Sequence, residues 1–366
     1  MKRIAQRALN IEMSGIRKFF QAAKPDSISM ALGQPDFDTP DHIKQAAIRA
    51  INEGKTGYTF NAGLPELREA ISKKFKSENG LRYHPDQVIV TAGAGEALFI
   101  AIQALVNPGD RVLITDPGFV SYEACTTLAG GVMDPLSLDG NLNIDVDAAI
   151  EKMTGARLLI LNSPCNPTGT VESEETIRAL VEAANDAGVT VLSDEVYEHF
   201  IYDAKHASAA RFGEDVLTVN ATSKTYAMTG WRIGYLAGHP DYIQQCLKIH
   251  QYCQTCATSI SQYAAYAAYT DDQTCVSRMR DEYRVRRDML WNGLHDLGFD
   301  FMSPGGAFYA FVPMDIETTT KILDAGVIVV PGDAFGKNGS GYTRFSYATS
   351  RENITAALER ISTVVR

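Results

Sequence analysis

The stretch "DVLTVNATSKTYAMTGWRIGYLAG", residues 215–238, carries two apolar, β-rich runs separated by a short polar turn. The first run, 215–224, ends on Lys224. The second, 231–238, opens on Trp231 and Arg232. An amine and a guanidinium therefore stand eight residues apart among small and apolar neighbours. An ordinary lysine titrates near ~10.4 on a solvated face. Desolvation and a nearby cation lower that value and make the amine a nucleophile toward an aldehyde. Arg232 is suited to be that cation, or to hold a phosphate as a bidentate fork.

The same punctuation recurs upstream. "DQVIVTAG" (86–93), "DRVLITDPG" (110–118), "ARLLILNSPCNPTG" (156–169) and "VTVLSDE" (189–195) read as strands running into loops. Between them, "GEALFIAIQALVNPG" and "SEETIRALVEAANDAG" (173–188) have helical spacing and Gly stops. Buried strands alternating with helices predict an α/β sheet covered on both faces. Such sheets hold ligands at the carboxyl ends of their strands. Gly93–Gly95, Asn166, Asp194 and Lys224 each fall just past a predicted strand.

Each of these positions suggests a chemistry. In "TAGAGEALF" (91–99) the amides at a strand–helix junction can face a phosphate, helped by the helix dipole. The spacing is neither G-x-G-x-x-G nor a P-loop, and a tight junction alone would also explain it. Asp194 ends an apolar strand, where a carboxylate is costly unless paired. A protonated pyridine nitrogen would pair it, and a helix N-cap is the alternative. Tyr197, three residues on, shares a face with Asp194 if a helical turn follows. Phe119 adds an aromatic in a loop after a strand. Together these are the parts that pyridoxal 5′-phosphate needs.

From about residue 275 the pattern changes. "EYRVRRDMLWNGLHDLG" (282–298) reads as a charged amphipathic helix, and "GGAFYAFVPM", "GVIVVPG" and "YTRFSYA" read as strands. A smaller α+β domain is expected there. The 366 residues suggest about two domains at roughly 150 residues each. Hydrophobic residues at 45% and charged residues at 21% fit a soluble globular chain. A formal charge of −10 with no basic block makes nucleic acid or an anionic membrane a poor partner. Six scattered cysteines fit a reducing compartment. No apolar run reaches the ~18 residues of a membrane span, and Arg7, Asn10 and Glu12 interrupt any signal-peptide core. A cytoplasmic location is expected. His250, Cys253 and Cys256 form H-x₂-C-x₂-C without a second pair, so they are expected on one helix face as core or interface residues, and no metal is expected. Asp36 and Asp38 are expected as turn residues and a cap for a helix over 40–53.

The motif "SKTYAMTGWRIGY" resembles the lysine signature of class I/II aminotransferases, the fold-type I pyridoxal-phosphate enzymes. "GQPDFDTP" (33–40), "YTFNAGLPELREA" (58–70), "NSPCNPTG" (162–169), "SDEVY" (193–197) and "PGDAFG" (331–336) match in order over nearly the whole chain. The look is closest to acetyl-diaminopimelate and aromatic aminotransferases. The resemblance implies a large domain on a mostly parallel seven-stranded sheet plus a smaller α+β domain. Its divisions would be 1–39 for the N-terminal arm and part of the small domain, 40–274 for the cofactor domain and 275–366 for the small C-terminal domain.

Site roles follow from the same resemblance. Lys224 would tether the cofactor and move the proton. Asp194 would keep the pyridine nitrogen protonated. Tyr197 and Asn166 would hydrogen-bond the ring oxygen, and Phe119 would stack on the ring. The amides of Ala94 and Gly95, with Ser223 and Arg232, would bind the phosphate. Tyr58 would reach the phosphate of the other subunit in a homodimer. Arg344 would grip the substrate α-carboxylate, with Asn166 and the backbone at Gly33, and Ile16 would lie near the substrate side chain. One departure stands out: many relatives carry a phosphate-binding Ser three positions before the lysine, where this chain has Ala221, so Thr222 or Ser223 would substitute. The amino group of an acetyl-diaminopimelate, aromatic or aspartate-like donor would pass to 2-oxoglutarate in a ping-pong scheme. A lyase or carbon–sulfur synthase shares Lys224 and Asp194 and is the alternative. A non-catalytic sensor would need a DNA-binding extension, for which about 30 residues before "GQPDF" leave no room.

Overall fold

A computed structural model of the protein describes residues 3–11, 13 and 26–365. Ile16 lies outside the described residues. The strands, in chain order, are β1 (Ile28–Ser29), β2 (Val88–Thr91), β3 (Arg111–Thr115), β4 (Val132–Leu136), β5 (Leu158–Asn162), β6 (Thr190–Asp194), β7 (Val216–Ala221), β8 (Gly234–Ala237), β9 (Tyr309–Pro313), β10 (Val327–Ile328), β11 (Val330–Pro331) and β12 (Tyr342–Ser346). Seven of them form one sheet in the order β2-β8-β7-β6-β5-β3-β4. All its neighbours run parallel except β8, which is antiparallel to both β2 and β7.

Side-chain alternation explains why this sheet is covered twice. In β5, Leu158 and Ile160 enter one apolar core while Leu159 and Leu161 enter another. β3 divides in the same way, with Val112 and Ile114 on one face and Leu113 on the other. The first core is closed by the helices Ala94–Leu105 and Pro240–Cys253, the second by Val146–Met153 and Glu174–Asp186. Glu174–Asp186 starts where the Ser173 side chain accepts the Thr176 amide, and Gly188 beyond it takes a φ of +69°.

The C-terminal elements form a second layer system. β11, β12 and β9 make a three-stranded antiparallel sheet. β1 pairs in parallel with β10, so the segment at 28–30 packs with the C-terminal strands. The long helix Thr274–Asp296 begins eight residues before the predicted 282, because its buried stripe runs through Cys275, Met279, Tyr283, Leu290 and Leu294.

Three local expectations are corrected. The run 215–224 is not one strand: β7 stops at Ala221, and Thr222–Thr225 makes one helical turn that carries Lys224. The run 231–238 becomes strand only at Gly234, since Arg232 sits at a left-handed φ of +55°. Asp38 does not cap the next helix. That helix, Asp41–Asn52, starts behind Pro40 with no side-chain cap, and Asp36 instead pairs with Arg286 at 2.7 Å.

β8 is wedged between β2 and β7 opposite the start of the helix Ala94–Leu105. A Cβ on Gly234 would lie 2.5 Å from the Ala94 amide nitrogen and 2.6 Å from the Gly93 carbonyl carbon. Both are backbone atoms and neither can turn aside. Gly234→Ala should therefore cost about 1–3 kcal/mol of stability. Gly140→Ala, with nothing within 4 Å of its new Cβ, should cost little. Chemical unfolding of both variants checks the contrast.

Candidate active site

Register places the site. Asn162 and Asp194 are paired at the ends of β5 and β6, and β7 ends beside them before the turn that carries Lys224. Above these strand ends lies a cavity of about 470 Å³, a size suited to a cofactor and a small substrate. Of the residues picked out from sequence, Gly33, Ala94, Gly95, Phe119, Asn166, Asp194, Tyr197, Ser223, Lys224, Arg232 and Arg344 all line it. Tyr58 does not. It is 88% exposed and lines a separate depression with Phe60 and Tyr263.

The electrostatics are dominated by burial. Asp194 is 3% exposed. Its Oδ2 accepts the Tyr122 hydroxyl at 2.9 Å. Loss of water raises its pKa to about 6, against the Tyr122 hydrogen bond, which lowers it. Lys224 Nζ donates to the Gly33 carbonyl at 2.6 Å. Burial first, and Arg232 second, bring its pKa down to about 8. The residue keeps partial exposure, which comes from the cavity.

A cradle lies on the helix side. Gly93, with φ at +81°, precedes the helix that starts at Ala94. A Cβ there would strike the Arg232 guanidinium, so glycine lets the arginine lie against the helix start. Arg232 is held by the carbonyls of Thr229, at 2.9 Å, and Ala92, at 3.3 Å. The amides of Ala94 and Gly95, the dipole and the guanidinium thus share one end of the cavity, a setting for a phosphate. Thr222 is fully buried and its hydroxyl donates to the Ile233 carbonyl, while Ser223 lines the cavity.

Arg344 brings a second guanidinium to the cavity. It is 1% exposed, donating to Asn166 Oδ1 at 2.8 Å and to the Ala31 carbonyl at 2.6 Å. Its Nε has no partner among the described residues. The guanidinium is stacked between the rings of Tyr309 and Phe335, at 4.4 and 4.6 Å. Among the described residues no carboxylate pairs with it. A buried, planar cation so placed is equipped to receive one.

Asn162, Tyr122 and Tyr309 are among the cavity residues not picked out from sequence. Asn162 donates to the Asp194 carbonyl and accepts the Asn166 amide, both at 2.9 Å. Tyr122 was signalled only by lying three residues past Phe119, with which it makes an edge-on contact at 5.5 Å. Tyr309 bonds Tyr197, hydroxyl to hydroxyl, at 2.9 Å, and nothing local in "GGAFYAF" marks that. His250 does not share a helix face with both cysteines. Its helix ends at Cys253, and His250 is buried between Glu96, at 2.7 Å, and the Asn61 carbonyl, at 2.9 Å.

The family model for class I and II aminotransferases matches residues 25–361. The chain belongs to that family. It is 47% identical to a probable aspartate aminotransferase of Methanocaldococcus jannaschii, over 97% of this chain and 98% of that one. It is 38% identical to aromatic-amino-acid aminotransferase 2 of Thermococcus litoralis, over 99% and 98%. In structure it is similar to the Thermus thermophilus aspartate aminotransferase solved with maleate, with a TM-score of 0.95 and 38% identity over all of both chains.

This aminotransferase is a pyridoxal-phosphate enzyme of mixed α/β fold, and it takes amino acids and oxo acids. The cavity fits the cofactor on its own evidence. It combines a poorly solvated amine, a buried carboxylate and a glycine-lined cradle backed by an arginine. Among the described residues no helix is long and apolar enough to cross a membrane.

A raised carboxylate pKa makes wild-type aminotransferase less stable at neutral pH. The cost is absent below the unfolded value near ~3.9, grows as pH rises toward about 6, and is constant above that. In the cofactor-free protein, Asp194→Asn should therefore gain about 1–3 kcal/mol of stability at pH 7 and nothing near pH 3.5. Denaturant titration at the two pH values checks the difference, and activity should be lost.

Proposed function

We propose that the chain transfers the amino group of aspartate and of aromatic amino acids to 2-oxoglutarate in two half-reactions. The observation that carries this reading is Arg344, a buried guanidinium without a carboxylate partner among the described residues, in the same cavity as the Lys224 amine and the Asp194 carboxylate. The names of the relatives support the donor classes.

When bound, pyridoxal 5′-phosphate supplies an aldehyde carbon and an electron-withdrawing ring. Lys224 Nζ is the anchoring amine and, once released, the base that holds the proton in transit. Its pKa of about 8 leaves a useful neutral fraction near neutral pH. Asp194 holds a proton at the ring nitrogen, which offsets the carboxylate's lost hydration. Tyr197 and Asn166 would direct hydrogen bonds at the ring oxygen, and Phe119 would cover the ring. Ala94, Gly95, Ser223 and Arg232 hold the phosphate. Ser223 is preferred to Thr222 as the replacement at the Ala221 gap, because the Thr222 hydroxyl is already committed. Arg344, with Asn166 and the backbone at Gly33, orients the substrate α-carboxylate.

The enzyme is proposed to act as a homodimer, with Tyr58 completing the partner's phosphate site. Its exposure, and its place outside the lining of this chain's own cavity, support that role. Residues 275–366, with part of the arm 1–39, are proposed to form a small domain against the cofactor domain 40–274. Six unpaired cysteines support a cytoplasmic location.

Lys224→Ala should fold and bind cofactor without covalent attachment. Borohydride reduction should fix cofactor to the Lys224 peptide of wild type and to no peptide of the variant. Arg344→Ala should lower kcat/KM for amino donors roughly 100-fold or more while cofactor stays bound. Unchanged kinetics would remove Arg344 from its role.

A further inference from the structure

Tyr309 stands where the site's separate parts meet. Its hydroxyl lies 2.9 Å from the Tyr197 hydroxyl, and both side chains are buried. Its ring lies under the Arg344 guanidinium at 4.4 Å. A Cβ on Gly33 would collide with its hydroxyl, so the glycine whose carbonyl receives Lys224 is packed against the same oxygen. One side chain thus touches the residue proposed for the ring oxygen, the residue proposed for the substrate carboxylate, and the glycine whose carbonyl receives the amine.

Proton counting gives this contact a direction. Each phenol carries one hydrogen. If Tyr197 donates its hydrogen to Tyr309, it has none left for the ring oxygen. If Tyr309 donates to Tyr197, the Tyr197 hydrogen is free to point into the cavity. Accepting a hydrogen bond also polarises the Tyr197 O–H and strengthens its own donation. We propose that Tyr309 is a positioning residue that donates to Tyr197, fixing the Tyr197 hydroxyl as a donor into the cavity, while its ring separately sets the plane of Arg344. This rests on the aminotransferase roles given above for Tyr197 and Arg344.

The two halves of the role are separable by substitution. Tyr309→Phe removes the hydroxyl and keeps the ring. Weaker donation to an anionic ring oxygen makes that oxygen hold a proton more readily. The pH midpoint of the bound cofactor's absorbance change should therefore rise by about half to one unit, and kcat should fall roughly three- to tenfold. KM for the amino donor should stay within about twofold, because the stack on Arg344 remains. Tyr309→Leu removes both, so KM should rise as well.

The experiment is a pH titration of holoenzyme absorbance for wild type and both variants, with steady-state kinetics on an amino-donor panel. A Tyr309→Phe midpoint that stays or falls overturns the proposal. So does a KM that rises equally in both variants, which would mark a merely structural residue. If wild type binds no cofactor, the underlying reading fails and the proposal falls with it. A wild type that binds and titrates normally beside an unchanged Tyr309→Phe sinks the proposal alone.

Discussion

The parallel register of β5, β6 and β7 is the constraint on which the site depends. It brings Asn162 and Asp194 side by side at one edge of the sheet and delivers Lys224 a turn beyond. Strands buried on both faces hold this register firmly, because a slip of one residue would send Leu158 and Ile160 into the core that Leu159 and Leu161 now fill. The apolar sheet thus fixes the positions of polar groups that contribute little to its stability. It also leaves them poorly hydrated. The same exclusion of water weakens the charge on Lys224 and on Asp194.

Those two shifts have opposite meanings. Lys224 loses part of its hold on a proton and becomes available as a base. Asp194 gains a hold on one and is left with an electrostatic cost that a protonated ring nitrogen would remove. Binding of the cofactor would offset a penalty already present in the fold. The two guanidiniums of the cavity have different partners. Arg232 lies against the helix start at Gly93, and Arg344 is stacked between two rings, so phosphate and carboxylate need not compete for one guanidinium.

Much of this was legible in the sequence because the relevant residues sit at strand ends, and strand ends are marked by apolar runs stopping at small or polar residues. Asp194, Asn166 and Lys224 were readable in that way. Strand boundaries were less so. The run through Thr222–Lys224 looks extended, yet one helical turn forms there, where Thr222 and Thr225 are buried. Asp36 looked like a turn residue because its partner Arg286 lies 250 positions away. Tyr122 and Tyr309 escaped for the same reason: their partners, Asp194 and Tyr197, are 72 and 112 residues distant. Local pattern predicts which backbone forms, and it carries no record of contacts that the fold alone creates.

The central claim is that burial in a shared cavity, with Arg232 as neighbour, sets the protonation of the anchoring amine. The most direct test is an NMR titration of the Lys224 Nζ signal in the cofactor-free protein, assigned by its loss in Lys224→Ala. The expected midpoint is about 8. A midpoint near the ordinary ~10.4 of a solvated lysine would contradict it.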